Sequence, residues 1–160
     1  MTIESRSNAT SACADPSSTV LYWEGYSPGR TAHMLQQHSN FVNSDSLGED
    51  LQLQSAMFRA WSNPQTGTAS FWRLQANSGN SDYVFAMSSN NNPPVVSGFS
   101  QFPTIIAYVY PSQVCDSVPL FVLFLSSATD HYYTIDTTER QNLITLGWAD
   151  QGIAAYVLPA

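Results

Sequence analysis

Apolar and aromatic residues fall along this chain in short runs broken by polar turns, not in long helical stripes. "LYW" opens at Leu21, "SAMFRAW" runs from Ser55 to Trp61, and "SFWRL" starts at Ser70. "YVFAM" starts at Tyr83, "TIIAYVYP" covers Thr104 to Pro111, and "LFVLFL" covers Leu120 to Leu125. "HYYTI" starts at His131 and "GIAAYVLP" closes the series from Gly152 to Pro159. Val, Ile, Tyr, Phe and Trp suit a pleated, half-buried surface, and Ser, Gly, Asn and Pro punctuate the gaps, so each run is predicted as a strand. One segment reads differently. Asp136 can cap a helix within Thr137 to Leu146, Glu139 stands where a capping box needs it, and Gly147 supplies the stop. The corresponding stretches upstream, "NSDSLGEDLQ" and "SSNNNPPVVSGF", are predicted as loops or short turns, with Pro93 and Pro94 opposing a helix in the second.

The runs repeat. Tyr22, Phe71 and Phe121 correspond; so do His33, Tyr83 and His131, and then Phe58, Tyr108 and Tyr156. Each marker recurs after roughly 48–50 residues, the length of one supersecondary unit. The chain therefore divides into a polar lead, residues 1–18, and one domain over 19–160, with copies at about 19–66, 67–116 and 117–160. No copy can bury its own apolar face, so the three are expected to close around a pseudo-threefold axis. The expected fold is mostly β, a β-trefoil-like barrel with a short helix in the third copy. A ring of three small sheets is the alternative.

Composition narrows the function. Of 160 residues only 11% are charged and 43% are hydrophobic, so Ser, Thr, Asn and Gln must wet much of the surface. That composition favours an extracellular setting. A net charge of −7 with five basic residues opposes nucleic-acid binding, and no apolar run is long enough for a membrane span. The first residues lack the pattern of a signal peptide, which leaves prior removal of a leader, unconventional export or an intracellular protein open. "NAT" at Asn8 is a glycosylation sequon relevant only to a secreted chain. Cys13 and Cys115 flank copy boundaries; they either form one staple or remain free thiols.

The stretch from Leu120 to Pro159 resembles an uncharacterised repeat family of secreted fungal and bacterial proteins. Its usual form runs L-Y-R-x-Y, G-D-H-F-Y-T, E-R, L-G-W or L-G-Y, and E-G-I-A-x-Y-V. Asp130, His131, Tyr133, Thr134, Glu139, Arg140, Leu146, Gly147, Trp148, Gly152, Ala154, Tyr156 and Val157 match it, while Gln151 stands where the family has Glu. The resemblance is partial in copy two and faint in copy one. It implies a secreted accessory module and supplies no activity. A looser similarity, by length and threefold repetition alone, is to fungal β-trefoil lectins, whose Q-x-W signature is absent.

Asp130 and His131 are the sharpest local pair, yet neighbours in a strand point to opposite faces and should not pair with each other. No G-x-S-x-G, H-E-x-x-H or P-loop string is present, and Tyr83 replaces the His in copy two, so an enzyme, a cofactor and a metal are not expected. His131 reads first as a structural hydrogen-bonding residue within its copy and second as a ligand contact. Trp148 reads as a core plug or a sugar-stacking platform. Two functions from different classes remain. One is a lectin-like module whose partners are glycans, bound weakly and repeatedly through Asp130, His131, Tyr133, Trp148 and Asp150. Asp82 and Tyr83 are the copy-two counterparts, and Ala32 makes copy one the weakest. The other is a structural, protein-interaction or inhibitor-like defence protein that acts through its loops.

Overall fold

The computed structural model describes residues 12–78 and 82–160; the Asn8 sequon lies outside them. Among the described residues, nine strands and two helices follow a short 3-10 turn at Pro16–Ser18. Copy one comprises β1 (Val20–Ser27), β2 (Ala32–Gln37), α1 (His38–Ser46) and β3 (Gln52–Ala60). Copy two comprises β4 (Ala69–Ala76), β5 (Tyr83–Ser88) and β6 (Phe99–Val109). Copy three comprises β7 (Val118–Leu125), β8 (Asp130–Thr134), α2 (Thr137–Thr145) and β9 (Ala149–Pro159).

Each copy is an antiparallel sheet whose first strand lies in the middle, flanked by the second and third. The middle position pairs both backbone edges of each first strand, and β7 is apolar along its whole length. Copies one and three fuse into one six-stranded sheet, ordered β2-β1-β3-β9-β7-β8, through Phe58↔Pro159 and Arg59↔Leu158. Copy two stays a separate sheet, β5-β4-β6, tied on by the bridges Trp61↔Tyr108 and Tyr110↔Tyr156. The expected closed barrel is therefore not formed. A barrel needs a continuous ladder around the ring, and here the junctions between copies are single bridges or one short pairing at the ends of β3, β6 and β9.

The repeat markers Tyr22, Phe58 and Phe71 sit at the centre. Tyr22, Phe58, Phe71, Phe85, Leu120 and Tyr133 form one buried cluster with Ala107, Val109, Ala155 and Val157. Tyr22 and Phe58 stack at 5.2 Å between ring centroids. A second cluster anchors the lead: Trp61 and Tyr110 enclose Ala14, the Trp61 indole donates to the Asp15 carbonyl, and the Ala14 N–H donates to the Tyr110 hydroxyl. Beside it Cys13 and Cys115 are joined in a disulfide, with Cα atoms 5.7 Å apart.

Helix α2 begins where expected, its first turn capped by the Asp136 carboxylate, which accepts from the Thr138 and Glu139 N–H groups. Gly147 follows its end with φ 100°, a conformation open to glycine. There is no capping box. The Glu139 carboxylate turns away from the Asp136 N–H to accept from the Tyr132 and Thr134 hydroxyls, and Thr134 accepts from Asp136 instead. Helix α1 is a second departure, since a loop was expected in copy one. It is polar along most of its length and holds on by one buried residue, Phe41. That ring lies over Gly25, where a Cβ would sit 2.4 Å from it.

Candidate functional site

Asp130 and His131 occupy the same strand and serve different neighbours. The His131 N–H donates to Asp82 Oδ1 at 3.1 Å, and His131 Nδ1 lies 2.7 Å from Asp82 Oδ2. Asp130 repeats the arrangement with His33: N–H to Oδ1 at 2.9 Å, Nδ1 to Oδ2 at 2.6 Å. A carboxylate only accepts, so each Nδ1 carries the proton and each acid fixes both the ring and the backbone of its partner. The acid of copy two holds the histidine of copy three, and the acid of copy three holds that of copy one. His131 thus bonds across copies, whereas the sequence had suggested a bond within its own. All four side chains are largely shielded, Asp82 down to 1% exposure.

The turn before Asp130, and its counterpart in copy one, pass through the left-handed backbone region. Thr129 and Thr31 precede Asp130 and Ala32, and both have positive φ, 53° and 52°. A β-branched residue is disfavoured there. The turn preceding Asp82 lies outside the described residues.

The junction from copy one to copy two lacks both members of the pair: Ala32 stands for the acid and Tyr83 for the histidine. Instead Arg30 Nη1 donates to the Tyr83 hydroxyl at 2.8 Å, and Arg30 Nη2 lies 3.7 Å from Glu49.

Where the pairs are present, aromatic clefts open above them. His33 lies against Tyr26 at 4.7 Å, meets Tyr132 edge-on at 5.0 Å and approaches Trp148 at 6.5 Å. Together with Gln54, Ser55, Glu139 and Leu143, three of these residues (His33, Tyr132 and Trp148) line a cleft of about 450 Å³. His131 packs on Phe124 at 4.5 Å and meets Phe99 edge-on at 5.6 Å, within a cleft of about 510 Å³ that also takes in Gln151 and Ile153. Phe99 opens β6 where Trp148 leads into β9, so the two clefts share a plan.

Glu24, on β1, lies beneath the first cleft at 1% exposure, and neither of its carboxylate oxygens has a hydrogen-bond partner. Burial pushes its pKa well above the ordinary range; the adjacent Tyr132 hydroxyl opposes this, and the charges of Glu139 and Asp130 add to it. The Tyr132 hydroxyl is spent on Glu139, 3.0 Å away. Burial, and then Glu24 and Glu139, raise the Tyr132 phenol in turn.

The remaining expected site residues are dispersed. Tyr133 is buried, and its hydroxyl binds the backbone of Phe85, accepting from its N–H at 2.7 Å. Tyr83 is buried at the odd junction. Trp148 is half-buried at the mouth of the first cleft. Asp150 lies outside it, paired with Arg140, and both that contact and the Gly152 N–H lower its pKa. Arg140 in turn lies over the Phe121 ring at 4.1 Å. Sequence reading missed Glu24, Gln54 and the Arg30–Tyr83 contact; the period pointed only to His33, as the counterpart of His131. Among the described residues no group of three acids, histidines or cysteines is placed to hold a metal ion, and no helix is long and apolar enough to cross a membrane.

The model of one protein family, described as "Domain of unknown function (DUF5648)", matches residues 21–158. No curated protein and no solved structure matches the chain.

Proposed function

The chain belongs to the DUF5648 family, and we propose that it is a secreted, non-catalytic carbohydrate-binding module whose three copies stand about a pseudo-threefold axis. The observation that carries this reading is the Trp148 cleft. It offers aromatic surface from Trp148 and Tyr132 and polar contacts from Gln54, Ser55 and Glu139. A neutral sugar presents the same pair of features, one C–H face and a ring of hydroxyls. Asp130 acts here through His33, which it holds in the cleft wall. The His131 cleft is the second, less polar site, with Asp82 in the same supporting role. Two weak sites on one rigid body gain avidity on a repeating polymer.

Glycan-array binding of the intact protein tests the proposal, with Trp148→Ala compared by circular dichroism for folding. Binding to neutral glycans that Trp148→Ala loses supports it. Absence of wild-type binding to any glycan favours protein interaction through loops. That second reading draws on the segment 89–98, where Val95 is fully exposed.

A further inference from the structure

We infer that the junction between copies one and two is a second kind of ligand site, one that takes a carboxylate-bearing sugar. Two of the chain's five basic residues, Arg30 and Arg73, line a cleft of about 560 Å³ there, although the protein carries a net charge of −7. Arg30 is occupied by Tyr83 and Glu49. Arg73 is not. Among the described residues it has no carboxylate within ion-pair distance; its neighbours are the Met34 sulfur, 3.9 Å from Nη1, and the Tyr83 ring, 5.9 Å from the guanidinium carbon. A guanidinium free to present its fork is matched in geometry to a carboxylate.

Independent features point to the same ligand. Gln36 lines the cleft at 5% exposure, and its amide nitrogen has no hydrogen-bond partner. A buried donor left unmade is costly, and such groups are normally satisfied by something. Phe102 stands at the rim, 70% exposed, with φ 46°. An aromatic residue held out to solvent in a disfavoured backbone conformation is the kind of strain that functional sites retain. Gln36 and Arg73 also line an adjoining cleft of about 390 Å³, where Gln37, Asn40 and Asn43 add amide groups suited to hydroxyls. The strands dictate the convergence. Arg73 lies opposite Thr104, and Gln75 opposite Tyr83, across the copy-two sheet. Loss of the Asp–His pair frees this junction: Arg73 takes the carboxylate, the amides take hydroxyls, and Phe102 covers the C–H face. Glu49 opposes an anion, but Arg30 holds it at the cleft edge.

Titration calorimetry with D-glucuronate, D-glucose and acetate tests this on the intact protein. Glucuronate should bind more tightly than either control and weaken as salt rises. Arg73→Gln should cost about tenfold in affinity, the scale of one charge-assisted contact. Phe102→Ala, at an exposed position that folding tolerates, should also weaken glucuronate. If Arg73→Gln is poorly folded, Gln36→Leu supplies the second test of the polar side. Trp148→Ala should leave glucuronate binding intact, which separates this site from the neutral-sugar clefts. Glucuronate binding no tighter than glucose, or unchanged in folded Arg73→Gln, overturns the inference. Equal binding of acetate overturns its sugar component.

Discussion

His33 and Asp130 stand 97 positions apart in sequence, yet the carboxylate of one fixes both the ring and the backbone N–H of the other. Removing one partner leaves a shielded polar group with nothing to bond. Asp130→Ala is therefore expected to destabilise the fold by about 3–5 kcal/mol, and Asp82→Ala by a similar amount. Asp130→Asn, which keeps one acceptor for the backbone N–H, should cost less. Urea denaturation ranks the three; a loss below about 1 kcal/mol for both alanine variants would show that the junctions do not depend on these contacts.

The Thr129 backbone gives a prediction of opposite sign. Its φ of 53° is one that a Cβ disfavours. Thr129→Gly should stabilise by up to about 1 kcal/mol, the relief of αL crowding less the entropy glycine loses on folding. A lowered melting temperature for this variant would mean that the threonine side chain contributes more than its strain costs.

Glu24 sets a pH dependence. Its folded pKa lies above the ordinary value of 4.5, so the folded state keeps a proton that the unfolded chain has released. Stability from this group is full below about pH 4.5 and declines as pH rises through the raised folded value. Glu24→Gln should remove that decline and gain on the order of 1 kcal/mol at neutral pH. Asp15, Asp50 and Asp150 have lowered values from an ordinary 3.8 and act in a separate window, their contribution fading only as pH falls through those lowered values. Parallel pH titrations of stability for wild type and Glu24→Gln isolate the effect; superimposable slopes between pH 4.5 and 8 would refute it.

The Cys13–Cys115 bond closes a separation of 102 residues. The chain-entropy account allows about 4–5 kcal/mol for a loop of that size, with less commonly realised. Replacing both cysteines by serine should lower stability by about 2–4 kcal/mol, visible as a lower denaturant midpoint of the tryptophan emission transition. An unchanged midpoint would leave the staple without thermodynamic effect.

Local chemistry carried most of the legible content. The alternating aromatic strands were readable because they are covered from fixed sides, and α2 because Asp136 and Gly147 mark its ends. Helix α1 was not. "HSNFVNSDS" has one apolar anchor of use, Phe41, and only the absence of a Cβ at Gly25, on another strand, gives that ring a seat. The period located the Asp and His positions but not their partners, since adjacent residues on one strand reach in opposite directions to different copies. The paired replacement by Ala32 and Tyr83 was visible as two separate departures. Their meaning, one junction rebuilt around arginine, requires the three-dimensional order of the copies.

Strand β3 finds its outer partner, β9, at the far end of the chain, by pairing Arg59 with Leu158. During synthesis the first sheet therefore emerges with an open edge and keeps it while two further units are made. Local hairpins can form early, but the seam that joins first unit to last must await the last strand, and folding is correspondingly slowed by a contact of large sequence separation. Until then that edge is a template for any other extended chain, and the ribosome-bound protein lacks even the short cover that the last strand later supplies at Phe58 and Arg59.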